Sequence, residues 1–203
     1  PARIRHDAEI DEWSPAVKFE QVRAPLRGGT FDLDFEFPAG RIALIETRTT
    51  TQIALITDLL RHFVRPQSGN VLLGGHEVGD FNAHELRDEV LVIDNTSFPE
   101  CSIADYLNIA APGITRAQMR NILEIVGLGA ELDGWQDNLD MALTPHGYPL
   151  PVAGVIKLKL AFAIAAQPKV LIITPLFDMP SHQDRLSIIN HLKSRDDHTV
   201  LCF

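Results

Sequence analysis

The chain has 203 residues, of which 45% are hydrophobic, and a formal net charge of −9. A chain of this length can bury a sizeable core without disulfides or a structural metal, and its acidic balance argues against a nucleic-acid surface, which needs clustered Lys and Arg. Because no apolar run approaches the roughly 18 residues of a membrane helix, we expect no direct membrane insertion of this part of the protein.

The first half of the chain predicts strands around one helix. Residues 1–14 are polar and acidic, which is typical of an N-terminal arm or linker. Residues 17–22 and 31–37 alternate apolar and polar side chains and indicate half-buried antiparallel strands, whereas the continuous apolar run 42–45 is typical of a strand buried on both faces. A helix is predicted next, because apolar residues recur at spacings of three and four, at Ile53, Ile56, Leu60 and Phe63.

The second half alternates buried strands with helices. Strands are predicted at the apolar runs 90–93, 170–173 and 199–203. Residues 103–150 are typical of an α-helical subdomain, and an apolar helix over 155–167 and an amphipathic helix over 185–193 follow. Buried strands that alternate with helices indicate an α/β fold with a mostly parallel sheet.

Five segments follow one another in an informative order, and they read FPAGRIALI, RPQSGNVLLGGHEV, LRDEVLVIDNTSFPECSIADYL, LDMALTPHGYPLPVAG and KLKLAFAIAAQPKVLIITP. In this order and spacing they resemble landmarks of the nucleotide-binding domain of ABC transporters. The first two resemble the strand entering the Walker A loop and the segment usually written P-x-S-G-x-I-x-x-D-G. The others resemble the Q-loop region, the X-loop with the LSGGQ signature, and the signature helix with the Walker B strand.

This resemblance covers about residues 17–203 and implies a P-loop NTPase-like ABC ATPase domain over residues 15–203. The domain would have a mostly parallel central sheet, an antiparallel β subdomain near residues 17–40 and an α-helical subdomain near residues 103–150. The chain begins at Pro1 and stops at Phe203, inside a predicted strand, so we expect it to be an excised piece of a longer polypeptide. The switch-His region would lie past Phe203.

The segment at the Walker A position lacks the groups that hold ATP in this family. ATP binding needs a Gly-rich loop whose N–H groups wrap the phosphates, a Lys at the β/γ-phosphates and a Ser or Thr on Mg²⁺. Here the loop has neither Gly nor Lys, and the Lys position falls on Gln52 or Ile53. Glu46 would also repel the phosphates, since a carboxylate about 4 Å from one phosphate charge costs roughly 1 kcal/mol in bulk water and about 4 kcal/mol at a protein surface. The vestigial positions are Glu46, Thr47, Arg48, Thr49, Thr50, Thr51, Gln52 and Ile53.

Two interpretations of this loop are open on the sequence alone. Thr49 and Gln52 fit a capping box, in which the following helix caps itself with the N–H groups that would otherwise bind phosphate. In the alternative, Arg48 and the threonine hydroxyls form a new anion site.

At the other landmark positions, too, this chain has residues that differ from those that bind or hydrolyse ATP in the family. Asn95 stands where the resemblance puts the Q-loop Gln, and Leu26 stands where it puts an adenine-stacking aromatic residue. The Walker B strand ends in Thr174 and Pro175, in place of the carboxylates that hold Mg²⁺ and polarise the attacking water. The signature positions are Leu150, Pro151, Val152, Ala153 and Gly154.

These replacements favour a degenerate nucleotide-binding domain that serves an ABC transporter as a structural or regulatory pseudo-ATPase half. Residues 141–147 resemble the exporter X-loop, of which Gly147 survives, so the exporter type is favoured. We expect no catalytic residue, no cofactor and no metal. The isolated chain is expected to be monomeric, because Glu46 and the overall charge of −9 oppose the pairing of two copies.

The resemblance implies partners and a location. The expected partners are the transmembrane domain of a transporter and possibly a catalytically active nucleotide-binding domain. The expected location is the cytoplasmic face of the inner or plasma membrane.

Two other functions are open on the sequence alone. An active ABC ATPase with an atypical site would bind ATP and Mg²⁺ and would need a carboxylate near the Walker B end, for which Asp178 is the nearest in sequence. A soluble interaction module could reuse the fold without any transporter.

Several remaining residues have structural interpretations. Lys157 and Lys159 are expected to be solvated on the signature helix. Trp13 is expected to anchor the N-terminal arm by packing, and Trp135 is expected in the core of the helical subdomain. The eight His show no spacing diagnostic of a metal site.

Overall fold

The computed structural model of this chain describes residues 12–26, 29–47, 49–134 and 138–203. These residues divide into two structural units. The first unit comprises the described residues up to Val92 together with Pro168–Ile172 and Arg195–Phe203. The second unit comprises the described residues of Ile93–Gln167 and Ile173–Ser194. Within the described residues, no helix has both the length and the apolar character needed to span a bilayer.

Helices lie between the strands 42–44, 90–93, 170–173 and 199–202 along the chain, as the apolar patterns predicted. The strands are β1 (Val17–Leu26), β2 (Gly29–Phe37), β3 (Ile42–Leu44), β4 (Ser68–Leu73), β5 (His76–Glu77), β6 (Val90–Ile93), β7 (Cys101–Ser102), β8 (Ala142–Leu143), β9 (Val170–Ile173) and β10 (Thr199–Cys202). The α-helices are α1 (Thr50–Leu60), α2 (Ala83–Glu89), α3 (Ile103–Ala110), α4 (Arg116–Ile125), α5 (Gly129–Asp133), α6 (Val152–Ala166) and α7 (His182–Lys193). The elements form a mixed α/β fold with both antiparallel and parallel strand pairs.

The alternation of apolar and polar residues near the N-terminus builds an antiparallel sheet in the first unit. Its strand order is β2-β1-β4-β5, and each neighbouring pair is antiparallel. On β1, the side chains of Val17, Phe19, Val22 and Ala24 are buried, and the intervening residues are more exposed. The half-buried antiparallel strands predicted from the alternation are therefore confirmed.

A β-bulge interrupts β1 at Gln21. The register of β1 against both of its neighbours shifts at this point, and Gln21 takes a φ of 45°. Gly69 on β4 lies opposite the bulge with a φ of 81°. A Cβ added to Gly69 would lie 2.5 Å from the Glu20 carbonyl oxygen and closer still to the carbonyl group of Gln21. Only glycine permits this backbone approach.

The second sheet has the strand order β3-β10-β9-β6, with β3 parallel to β10. The four apolar runs predicted as strands of the α/β fold thus lie in one sheet, and all four residues of β9 are buried. The prediction that residues 42–45 are buried on both faces is wrong, since Leu44 is 74% exposed. The reason is that β3 lies at the edge of this sheet, where a strand has a neighbour on one side only.

Helix α1 buries one face in the first unit. Ile53, Ile56 and Leu60 are buried, as their spacing predicted. The prediction that Phe63 continues this face is wrong, because the helix ends at Leu60 and the Phe63 side chain is 66% exposed. His62 has a left-handed φ of 57°, which breaks the helical spacing before the chain reaches Phe63.

Trp13 packs into the core of the first unit. Its ring meets the Phe81 ring edge-on at a centroid distance of 5.1 Å, and the Lys169 ammonium lies 4.6 Å from its centroid. Aromatic and cation–π contacts of this kind add to apolar burial. The predicted role of Trp13 as a packing anchor is confirmed, whereas Trp135 lies outside the described residues.

Helices dominate the second unit. Ser102, Thr115 and Ser181 cap α3, α4 and α7, and each side chain accepts a hydrogen bond from the amide three residues on. Helix α6 begins at Val152, three residues before the predicted start. The extended backbone of Pro151, with φ −66° and ψ 162°, suits it to the N-cap position and lets the helix begin earlier.

Candidate functional site

The segment between β3 and α1 is the one that the resemblance assigns to the Walker A loop. Thr49 is the N-cap of α1, and its hydroxyl oxygen accepts a hydrogen bond from the Gln52 N–H at 3.3 Å. The same N–H donates to the Thr49 carbonyl oxygen at 3.1 Å. The Thr49 half of the predicted capping box is therefore confirmed, and it satisfies one of the N–H groups that a helix N-terminus otherwise offers to an anion.

The side chains of this loop differ in burial. Glu46, Thr49, Thr50 and Thr51 are exposed. The two candidate Lys positions are less accessible, since Gln52 is half-buried and Ile53 is 8% exposed. Within the described part of this loop, Glu46–Thr47 and Thr49–Ile53, no side chain is cationic. Arg48, the cation of the alternative anion site, lies outside the described residues.

Leu26 stands where the resemblance places an adenine-stacking aromatic residue. Leu26 ends β1 and is partly buried against the core of the first unit. Its side chain can make apolar contacts but has no aromatic ring, so Leu26 cannot stack on a base as an aromatic residue would.

The residues that the resemblance assigns to the end of the Walker B strand, Thr174 and Pro175, lie just past β9. The Thr174 hydroxyl donates to the Ile93 carbonyl oxygen at 2.8 Å, and the Thr174 N–H donates to the same oxygen at 3.3 Å. Thr174 is buried, and the exposed Pro175 begins a 3-10 turn that ends at Asp178. The Asp178 carboxylate is exposed and forms an ion pair with Arg185 at 2.6 Å. Both donor groups of Thr174 are thus used to bind the last carbonyl oxygen of strand β6.

The loop after β6, residues 94–98, is the one that the resemblance assigns to the Q-loop, and it is called the β6 loop below. The Asn95 side-chain oxygen accepts hydrogen bonds from the Lys159 ammonium at 3.1 Å and from the Ser97 N–H at 3.0 Å. The Asn95 amide nitrogen donates to the Asp94 carboxylate at 2.6 Å. Burial lowers the pKa of Lys159, and the nearby Asp94 charge opposes this shift.

The residues that the resemblance assigns to the signature, 150–154, lie at the start of α6. Leu150 and Gly154 are buried, whereas Pro151 and Val152 are exposed. Pro151 forms the N-cap without a side-chain hydrogen bond, and its carbonyl oxygen accepts from the Val155 N–H at 3.0 Å. The exposed groups at this helix start are therefore apolar.

Lys157 was not identified by sequence reasoning as an important residue. Its ammonium donates to the Gly127 carbonyl oxygen at 3.0 Å and pairs with Glu131 at 2.8 Å and Asp184 at 3.0 Å. The expectation that Lys157 is solvated is wrong, since its side chain is 7% exposed. The sequence signal that could have revealed this is the composition of α6, whose apolar residues occur around the whole helix and leave no wide polar face. Lys159 is half-buried rather than solvated.

Burial by itself would lower the pKa of Lys157, but hydrogen bonds to Glu131 and Asp184 outweigh it and raise the pKa above its usual value. Burial would likewise raise the pKa of Asp184, and hydrogen bonds from Lys157 and Ser181 lower it instead.

In the described part of the chain, no group of three or more His, Cys, Asp or Glu side chains is arranged to hold a metal ion.

The chain is similar in sequence to proteins of ABC export systems. It is 27% identical to an ATP-dependent lipid A-core flippase of Photobacterium profundum over 205 residues, which covers 98% of this chain and 34% of the flippase. It is 22% identical to the toxin RTX-I translocation ATP-binding protein of Actinobacillus pleuropneumoniae over 142 residues, which covers 70% of this chain and 20% of that protein. No family model matches the chain.

The fold is similar to that of a bacterial Atm1-family ABC exporter with ATP bound. The two structures have a TM-score of 0.85 at 16% sequence identity, over 99% of this chain and 36% of the exporter chain. The chain spans 34% of the flippase's length and a similar share of the exporter. In sequence and in fold the comparisons support an exporter-like ABC domain, and the resemblance inferred from the motifs is confirmed.

Proposed function

We propose that this chain is a degenerate nucleotide-binding domain of an ABC exporter and acts as a structural or regulatory pseudo-ATPase half. The observation that carries the proposal is the Walker A segment, which contains neither Gly nor Lys between Glu46 and Ile53. A non-Gly residue enters a left-handed backbone conformation at a cost of roughly 1–2 kcal/mol. A run of threonines is therefore poorly suited to form a nest of N–H groups around phosphates.

The Walker B end supports the same proposal. The Thr174 hydroxyl donates its hydrogen to Ile93, and Pro175 offers no ionisable group. Asp178, the carboxylate that an atypical active site would need, is paired with Arg185. Mg²⁺ in nucleotide sites is held by one or two carboxylates together with substrate phosphates. These residues do not fit a Mg²⁺-bound nucleotide, and we assign them no catalytic step.

The proposed setting is a membrane transporter. The named relatives are a lipid A-core flippase and a toxin translocation protein, and this chain corresponds to part of each. The proposed partners are a transmembrane domain and a catalytically active nucleotide-binding domain, at the cytoplasmic face of the membrane. In such a pair the present chain would supply contacts, and its partner would supply ATP hydrolysis.

Millimolar Mg-ATP is expected to leave the melting temperature of the chain unchanged. A ligand at 100 times its Kd stabilises a fold by roughly 2.7 kcal/mol, so any micromolar site would raise the melting temperature clearly. Differential scanning fluorimetry measures this, with Mg²⁺ alone and Mg-ADP as references. A reproducible shift with Mg-ATP that disappears in Arg48→Ala would contradict the proposal and support the alternative anion site.

Restoring a lysine to the loop is not expected to restore nucleotide binding. Gln52→Lys supplies a cation, but the threonines still replace glycine and Glu46 still opposes phosphate. Ile53→Lys tests the other alignment and should also destabilise the fold, because this position is 8% exposed and an unpaired buried charge is costly. Isothermal titration calorimetry with Mg-ATP measures both variants. Micromolar binding by Gln52→Lys would show that backbone shape was not the obstacle.

A further inference from the structure

The β6 loop is tied to helix α6 at two points, and the first is the hydrogen bond from Lys159 to Asn95. Asn95 also accepts from the Ser97 N–H, two residues on. This is the geometry in which an Asn side chain stabilises its own loop. One oxygen therefore serves both the turn and the helix, so the local shape of the loop and its attachment to α6 depend on the same side chain.

The second point is a cluster of aromatic rings in tilted contact at the end of the loop. Phe98 is buried, with its ring centroid 4.4 Å from that of Tyr106, and Tyr106 lies 4.7 Å from Phe162. Phe162 belongs to α6 and follows Lys159 by three positions, so the two residues lie on neighbouring turns of one helix face. The Phe98 N–H donates to the Pro145 carbonyl oxygen at 2.9 Å. The end of the loop is thus held by packing and by a backbone hydrogen bond.

The Lys159 ammonium is not an ordinary surface charge. Its residue is half-buried, and burial acts against the charged form. A partly desolvated ammonium gains more from a hydrogen-bond acceptor than a fully hydrated one does, because the interaction is stronger where water is excluded. Asn95 supplies that acceptor, and the carboxylate of Asp94 lies next to it and is hydrogen-bonded to the Asn95 amide.

We propose that Lys159 and Asn95 form a latch that holds the β6 loop against α6 in one conformation. The loop stands at the Q-loop position, so the latch would make its conformation independent of nucleotide. This last consequence rests on the proposed function, whereas the latch itself rests on the contacts of these residues. The side chain of a Gln at position 95 would be too long to form the same turn with the Ser97 N–H, so the latch depends on the shorter Asn.

Amide hydrogen exchange read by mass spectrometry tests the latch on the whole chain without any nucleotide. In Lys159→Met, which keeps the apolar stem and removes the donor, amides 96–98 should exchange about tenfold faster than in the unmodified chain. Lys159→Arg keeps a donor and should retain most of the protection. Lys193→Met is the matched control, because it removes an exposed lysine from α7 and should leave these amides unchanged. Amides inside α6 report whether each variant is folded.

Equal exchange of amides 96–98 in Lys159→Met and in the unmodified chain would overturn the latch. If Lys159→Met loses protection throughout α6, Asn95→Ala decides the question, since it removes the acceptor and leaves the helix intact. Faster exchange confined to amides 96–98 in Asn95→Ala supports the latch, and unchanged exchange there overturns it. A melting shift with Mg-ATP in any of these chains would count against the proposed function and would not affect the latch.

Discussion

Lys157→Met is expected to lower the free energy of unfolding by about 3 kcal/mol, at the low end of the range for breaking a buried ion pair. The Lys157 side chain is 7% exposed, and its ammonium binds Gly127, Glu131 and Asp184. Removing the cation leaves both carboxylates without their ion-pair partner and the carbonyl oxygen without this donor, which costs more than the contact alone, although Asp184 keeps the hydrogen bond from the Ser181 hydroxyl. The low end applies because Glu131 and Asp184 are 40% and 18% exposed. Urea denaturation at neutral pH measures the change.

Two variants separate the buried ion pairs from the loss of any lysine. Lys193→Met applies the same substitution at an exposed position and should stay within about 0.5 kcal/mol of the unmodified chain. Adding Asp184→Asn to Lys157→Met removes one of the orphaned charges and should restore part of the lost stability. A Lys157→Met chain as stable as the unmodified chain would show that the buried contacts contribute nothing.

The stability difference between the unmodified chain and Lys157→Met should depend on pH. The pKa of Asp184 is lowered in the folded state, so its contribution is present above the unfolded pKa of about 4 and is lost as the pH falls through the folded value. The pKa of Lys157 is raised, so its contribution is present below about pH 10 and is lost as the pH rises through the folded value. The difference should therefore be largest between about pH 5 and 9.

Gly69→Ala is expected to destabilise the first unit by about 3 kcal/mol or more, because it combines two costs. The backbone of Gly69 has a φ of 81°, which an L-residue adopts only with strain. The added Cβ would also collide with the backbone of Glu20 and Gln21 at the bulge of β1. Backbone atoms cannot rotate away as side chains do, so the paired strands must shift. Thermal and urea denaturation measure the loss.

Two other glycines serve as controls, one for the conformational strain alone and one for neither cost. Gly75 has a φ of 87° and open space around an added Cβ, so Gly75→Ala should show the conformational strain alone, about 1–2 kcal/mol. Gly29 also has open space and no left-handed φ, so Gly29→Ala should be close to neutral. If Gly69→Ala costs no more than Gly75→Ala, the backbone contact at the bulge is not what requires glycine.

Local patterns in the sequence were sufficient for most strands and helices. The alternation at residues 31–37 predicts β2, and the spacing of Ile53, Ile56 and Leu60 predicts the buried face of α1. Thr49 as the start of α1 follows from the same kind of information. Side-chain periodicity and helix caps depend on residues a few positions apart, so they can be read before any tertiary contact is known. The ordered motifs were also sufficient for the exporter-like ABC resemblance.

The tertiary structure decided the environment of residues whose neighbours are distant in sequence. Leu44 is exposed because its strand lies at a sheet edge, a position that its own apolar run does not encode. Lys157 meets Gly127 across 30 positions, and Lys159 meets Asn95 across 64 positions. Such partners are brought together by the packing of whole helices and strands. The same lysine is solvated or buried according to which elements surround it, and local periodicity carries no information about that choice.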